Sequence, residues 1–142
     1  MSYWKLPRYS LTVRKEQEAQ FVYDPIRKDW FVFQPEEEVR QHLIRFLLEE
    51  KGVSKNLLAV EKEIIYRETR RRFDLVIYNR EGTPEMLCEC KAPSVPINQN
   101  TVNQIARYNT ILKAPHLLIT NGRGLVVFSV SEAGTFMLNQ EW

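Results

Sequence analysis

The stretch Arg72-Phe-Asp-Leu-Val-Ile-Tyr78, followed after a short turn by Met86-Leu-Cys-Glu-Cys-Lys-Ala-Pro93, constrains the fold more than any other part of the chain. Both runs are short, largely apolar and bounded by turn residues, which predicts two adjacent strands. Asn79-Arg-Glu-Gly-Thr-Pro84 between them has turn chemistry, so the second strand most simply returns antiparallel to the first. Residues two apart on a strand point the same way. Glu89 and Lys91 therefore share one face, and Cys88, Cys90 and Ala92 share the other. The antiparallel return brings Asp74, near the start of its strand, beside Glu89 and Lys91 near the end of theirs. Two hard anionic groups can hold a divalent cation such as Mg²⁺. An ammonium next to them can orient or activate a water. That is a minimal set for metal-assisted phosphodiester hydrolysis. The competing reading is a carboxylate–lysine ion pair at a sheet edge.

An acidic residue two positions before a lysine is a weak signal alone, and the chain carries a decoy in Glu49-Glu50-Lys51. There the flanking charges sit at a helix end and diverge by roughly 200°, because each helical step turns about 100°. The Glu89-Cys90-Lys91 copy lies on an apolar strand, where unpartnered charge is costly. It also has Asp74 on the preceding strand and a helix carrying Gln104 behind it.

The remaining pattern predicts an N-terminal β-hairpin extension over residues 1–34, with strands at Ala19–Tyr23 and Trp30–Phe33, then a core over 35–130. Helices are predicted at Pro35–Lys51 and Asn100–Leu112. Strands are predicted at Leu57–Tyr66, Phe73–Tyr78, Glu85–Lys91, His116–Thr120 and Leu125–Val130, with a short one at Thr135–Leu138. This α-β-β-β-α-β order predicts an α/β fold with a mixed central sheet flanked by helices, in one domain of 142 residues. A formal charge of +2 neither demands nor excludes a nucleic-acid partner. No apolar run is long enough to cross a bilayer, and Met1–Ser10 lacks the apolar stretch of a signal peptide. The only cysteines, Cys88 and Cys90, are expected to be buried free thiols, which fits a reducing cytoplasm.

Several side chains carry two readings. Trp4, Tyr9 and Trp30 can stack on bases or simply pack. Glu36, Glu37 and Glu38 complement the dipole of the first helix, or one of them reaches the carboxylate site; spacing alone favours the dipole. Arg70, Arg71 and Arg72 are expected on a polar turn, as phosphate contacts or as a solvated loop. Gln104 and Tyr108 are four apart and share a helix face.

Asp74 with Glu89-Cys-Lys91 resembles the signature of the PD-(D/E)xK nuclease superfamily. The likeness is nearest to the N-terminal nuclease domain of type I restriction enzyme R subunits and their small stand-alone relatives. Tyr23-Asp-Pro-Ile-Arg-Lys28, Pro35-Glu-Glu-Glu-Val-Arg-Gln41, Arg72–Tyr78 and Cys88–Pro93 carry the resemblance, and Gln104–Asn109 and Thr120–Gly122 extend it. It implies a restriction-endonuclease-like core and a Mg²⁺-dependent DNA endonuclease, with Mn²⁺ as a substitute. Asp74, Glu89 and the Cys90 carbonyl would hold the metal, and Lys91 would orient water. Gln104 would accompany the site, and Glu37 would be the helix carboxylate, with Glu38 as the fallback. Arg70, Arg71, Arg72 and Tyr108 would face nucleic acid. A single such site cuts one strand, so double-strand cleavage would need a homodimer or a partner subunit. Nothing in the sequence resembles a phosphate-binding Gly-rich loop followed by Lys and Ser or Thr, so ATP use is not expected. The alternative is a non-catalytic nucleic-acid-binding or assembly module that kept the fold.

Overall fold

The computed structural model describes residues 6–139, and Trp4 lies outside them. Three strands come first: β1 (Val13–Glu16), β2 (Ala19–Asp24) and β3 (Asp29–Val32). They are followed by α1 (Pro35–Glu49), a 3₁₀ turn at Lys55–Leu57, β4 (Leu58–Tyr66), β5 (Thr69–Tyr78), β6 (Pro84–Cys90) and α2 (Gln99–Leu112). The chain then runs through β7 (His116–Thr120), β8 (Leu125–Val130) and β9 (Phe136–Leu138). β1–β3 form an antiparallel meander. β4–β9 form a second sheet in sequential order, antiparallel throughout except between β6 and β7. Parallel neighbours need a crossover, and α2 supplies it. The result is a mixed α/β architecture, as the strand and helix pattern predicts.

The helices cover opposite faces of the larger sheet. Val39, Leu43, Ile44 and Leu47 of α1 pack with Leu75, Ile77, Cys88, Cys90, Leu118 and Leu125. Val102 and Ile105 of α2 pack with Phe73, Val76, Leu87, Leu117, Ile119 and Val126. β6 alternates as expected, with Met86, Cys88 and Cys90 toward α1 and Leu87 toward α2. Both thiols are free and fully buried, and burial pushes both well above the ordinary thiol range. No helix among the described residues is long and apolar enough to cross a membrane.

The ends of the helices follow local chemistry. Pro35 opens α1 and three glutamates fill its first turn, with no side-chain cap from Gln34. α2 starts with a capping box, Asn98 accepting from the N–H groups of Asn100 and Thr101 while Thr101 answers the Asn98 N–H. Lys113 takes a left-handed conformation at its end, and the Asn109 side chain bonds both the N–H and the carbonyl of Ala114.

Two features differ from the expectation. β1 adds a third strand to the predicted hairpin. All four of its residues are exposed, so it has no alternation of apolar and polar residues to betray it. Arg70, Arg71 and Arg72 lie within β5, not on a turn. The reversal is at Arg67 and Glu68, both left-handed with φ of 49° and 65°. That backbone suits a tight hairpin, but neither residue is the Asn or Gly that usually announces one. Residues 67–72 are all exposed, so the polar stretch Glu68–Arg72 reads as a turn.

Gly122 shows how tightly the β7–β8 connection sits on α1. Its φ is +87°, and a Cβ there would lie 3.3 Å from Val39 Cγ2. Gly122→Ala is therefore expected to lower stability by about 1–2 kcal/mol, the cost of a left-handed non-glycine residue, with the fold retained. Urea denaturation checks this, and an unchanged midpoint would contradict it.

Candidate active site

The β5–β6 register runs from Leu75 opposite Cys88 to Tyr78 opposite Pro84. Just past its Leu75 end, Asp74 Oδ2 accepts the N–H of Cys90 at 2.8 Å, so a side chain continues where that register stops. Asp74 Oδ1 accepts from Arg40 Nη2 of α1 at 3.1 Å. Each carboxylate oxygen retains a second lone pair, so Asp74 is fixed in orientation without being used up. Glu89 stands next to it on β6, almost buried.

Burial, and then the charge of Asp74 and a hydrogen bond to it, push the Glu89 carboxyl up to about 8 against a smaller downward pull from Lys91. Glu89 therefore holds its proton to near neutrality. Lys91 follows directly. Its Nζ lies 3.6 Å from Glu89 Oε1 and donates to Gln104 Oε1 of α2 at 2.9 Å. Tyr108, one helical turn on, meets Gln104 Nε2 through its hydroxyl at 3.5 Å and packs edge-to-face on Phe73. Asp74, Glu89, Lys91 and Gln104 therefore converge, brought together from two strands and a helix.

The helix glutamates divide differently from the residue-by-residue resemblance. Glu37 lies between two guanidiniums: Arg27 Nη2 donates to both its oxygens at 2.9 and 2.8 Å, and Arg40 Nη1 to Oε1 at 2.7 Å. Gln41 adds a third donor at 3.1 Å. Glu38 points away, to Arg8 at 3.3 Å. Glu36 meets Arg40 at Nη2, the same nitrogen that reaches Asp74. It is half-exposed, 3.4 Å from Arg40, and its carboxyl is raised by partial burial and by the charges of Asp74 and Glu61, partly opposed by Arg40 and Lys91.

Arg40 links these groups. Burial alone would lower its basicity, but Asp74 and Glu37 more than offset this, so it stays charged in the interior. Behind it, Arg27 is fixed by Asp24, which accepts from Arg27 Nε at 2.7 Å, from Gln41 at 3.0 Å and from the N–H groups of Ile26 and Arg27. Arg27 also stacks on Phe31, 3.4 Å from the ring centroid. The β2–β3 turn thus delivers one guanidinium to the first turn of α1. Arg40 and Gln41 escaped the sequence reading. Glu37, Arg40, Gln41 and Ile44 have the spacing of one helix face, and that polar run beside the apolar stripe was the available signal.

The donor set suits a hard cation. Adjacent carboxylates, one of them kept protonated by burial and by the charge of the other, are a place where a metal ion can replace that proton. Mg²⁺ commonly uses one or two carboxylates and completes its shell with water and substrate oxygens. Among the described residues no third His, Cys, Asp or Glu side chain converges with them. The Cys90 thiol faces the core, so only its main chain borders the site.

The chain matches, over residues 35–140, the family described as the type I restriction enzyme R protein N terminus (HSDR_N). It belongs to that family. No curated protein matches it. Within this restriction-enzyme R-protein N-terminal region fall Asp74, Glu89, Lys91 and Gln104, while Asp24 and Arg27, which brace α1 from the first sheet, lie before it.

Two outcomes follow for stability. Between the ordinary carboxyl value of 4.5 and about 8, folded Glu89 holds a proton that the unfolded chain has released. The resulting stabilisation is full below the lower value and is lost as pH rises through the upper one, on the order of a few kcal/mol. Without divalent metal, the melting temperature should fall by several degrees from pH 5 to pH 9, and Glu89→Gln should flatten that fall. Equal slopes in both proteins would contradict the raised Glu89 carboxyl. Arg40→Ala strands two acids and should cost about 3–5 kcal/mol in chemical denaturation.

Proposed function

We propose that this chain is a Mg²⁺-dependent DNA endonuclease built on a restriction-endonuclease-like core. The observation that carries the reading is the convergence of Asp74 and Glu89 with the Lys91 ammonium, which lies 3.6 Å from Glu89 and is held by Gln104. Membership of the R-protein N-terminal family supports it. Asp74 and Glu89 would hold the metal, with the Cys90 carbonyl as a main-chain ligand. Bound there, Mg²⁺ (or Mn²⁺) would polarise the scissile phosphate and acidify a water.

The protein's own groups do the rest. Arg40 and the Cys90 N–H keep Asp74 from turning away. Gln104 aims Lys91, whose ammonium orients the attacking water and steadies charge developing on phosphate oxygen. Glu36, facing the pair across Arg40, takes the helix-carboxylate role, and Glu37 fixes Arg40. One such site breaks one strand, so double-strand cuts would come from a second copy or a partner subunit.

A second reading is a nucleic-acid-binding module without catalysis. What favours it is Arg40 on Asp74, a guanidinium that already neutralises one of the two carboxylates.

Plasmid nicking with Mg²⁺ or Mn²⁺ separates the two. Lys91→Ala and Asp74→Ala should each lower the nicking rate by about 100-fold or more while the circular dichroism spectrum is unchanged. Unchanged rates in both variants would sink the mechanism. DNA binding indifferent to Mg²⁺, with no nicked product at high protein concentration, would favour the binding module.

A further inference from the structure

The β4–β5 hairpin is two-faced. Residues 67–72 are all exposed, so its outer half stands clear of the core. Directly opposed residues of an antiparallel pair share a face. Glu63 opposes Arg72 and Ile65 opposes Arg70 on one side, while Lys62 opposes Phe73 and Ile64 opposes Arg71 on the other. On the first side each arginine has an acid: Arg70 lies 3.6 Å from Glu63, and Arg72 lies 3.5 Å from Glu61 and 3.8 Å from Glu63.

The second side is different. Phe73 and Ile64 join the core under α2, so this side runs onto that helix. Arg71 lines a shallow cavity of about 360 Å³ with Gln104, Arg107 and Tyr108. Lys62, Arg71 and Arg107 are exposed, and among the described residues none of their side chains has a hydrogen-bond or ion-pair partner. Gln104, on the cavity wall, is also the residue that holds Lys91. A strip of unanswered cations therefore leads from the hairpin across α2 to the candidate site, while the cations on the hairpin's other side are neutralised.

We propose that Lys62, Arg71 and Arg107 grip the sugar–phosphate backbone of DNA along this strip, with Arg70 and Arg72 taking no part. The choice of DNA as the polyanion rests on the nuclease reading above. Unpaired guanidiniums on a fixed strand and helix meet phosphate oxygens in forked geometry without first breaking an ion pair. The expectation that all three consecutive arginines face nucleic acid narrows to Arg71 alone, joined by Lys62 and Arg107 from other elements.

Fluorescence anisotropy with a labelled DNA duplex, without divalent metal, tests the strip. Arg71→Ala and Arg107→Ala should each weaken binding roughly tenfold at low salt and reduce the slope of log K against log salt by about one. Arg70→Ala should change neither. Unchanged affinity and slope in the Arg71→Ala/Arg107→Ala double variant would overturn the proposal, as would an equal loss in Arg70→Ala or a wild-type protein that binds no duplex. If that double variant binds normally while the wild type nicks plasmid with Mg²⁺, the strip is wrong and the nuclease reading stands. If the selective loss is seen in a protein that never nicks, the strip stands and the nuclease reading falls.

Discussion

The carboxylate of Glu37 lies buried between the guanidiniums of Arg27 and Arg40, and much of the structure hangs on that contact. Taking ions out of water is expensive and is recovered only when geometry is close and the remaining donors are filled. Here both oxygens of Glu37 are occupied, Gln41 closes the same group, and Asp24 holds Arg27 from behind. The far end of Arg40 reaches Asp74. A continuous line of alternating charge therefore runs from the turn of the small sheet, through the first turn of α1, to β5 of the large sheet. Two packed layers and an accessory sheet are held in one relative orientation by directional contacts that apolar packing alone does not provide.

The two acids at the end of that line are treated differently. Asp74 is oriented by two donors, one from the helix and one from the neighbouring strand's main chain. Glu89 has burial on one side and Asp74 on the other, and both push its carboxyl up to about 8. One carboxylate is held in a fixed orientation; the other is poised to exchange a proton for a better cation. Lys91 sits close enough to temper that pair, and its hold on Gln104 keeps it from collapsing onto Glu89. Preorganisation of this kind lets a site act without rearranging at the moment of reaction.

Much of this was legible in the residue order because it depends on strand parity and turn chemistry. The opposed faces of β6, the antiparallel return that brings Asp74 to Glu89, and the helix that places Gln104 follow from period-two alternation and from Gly and Pro positions. What was not legible depends on partners distant in sequence. Nothing local distinguishes Glu36 from Glu37; the distinction is made by Arg27, on another sheet. Arg40 reads as an ordinary helix arginine until Asp74 is placed opposite it. Only the outer part of the β4–β5 hairpin, Glu68–Arg72, reads as a turn, because it is exposed and carries no apolar alternation, and its reversal uses Arg67 and Glu68 in place of glycine.

The position of Arg27 also bears on where this unit of structure begins. The family match begins at Pro35, yet the first turn of α1 leans on Asp24 and Arg27, which come earlier. A chain begun at Pro35 would keep Asp74, Glu89, Lys91 and Gln104 but would leave Glu37 with half its neutralising charge, and Arg40 correspondingly drawn toward it and away from Asp74. The N-terminal meander is in this sense an electrostatic counterweight: it lies before the matched range, but its guanidinium helps set the geometry of residues within it.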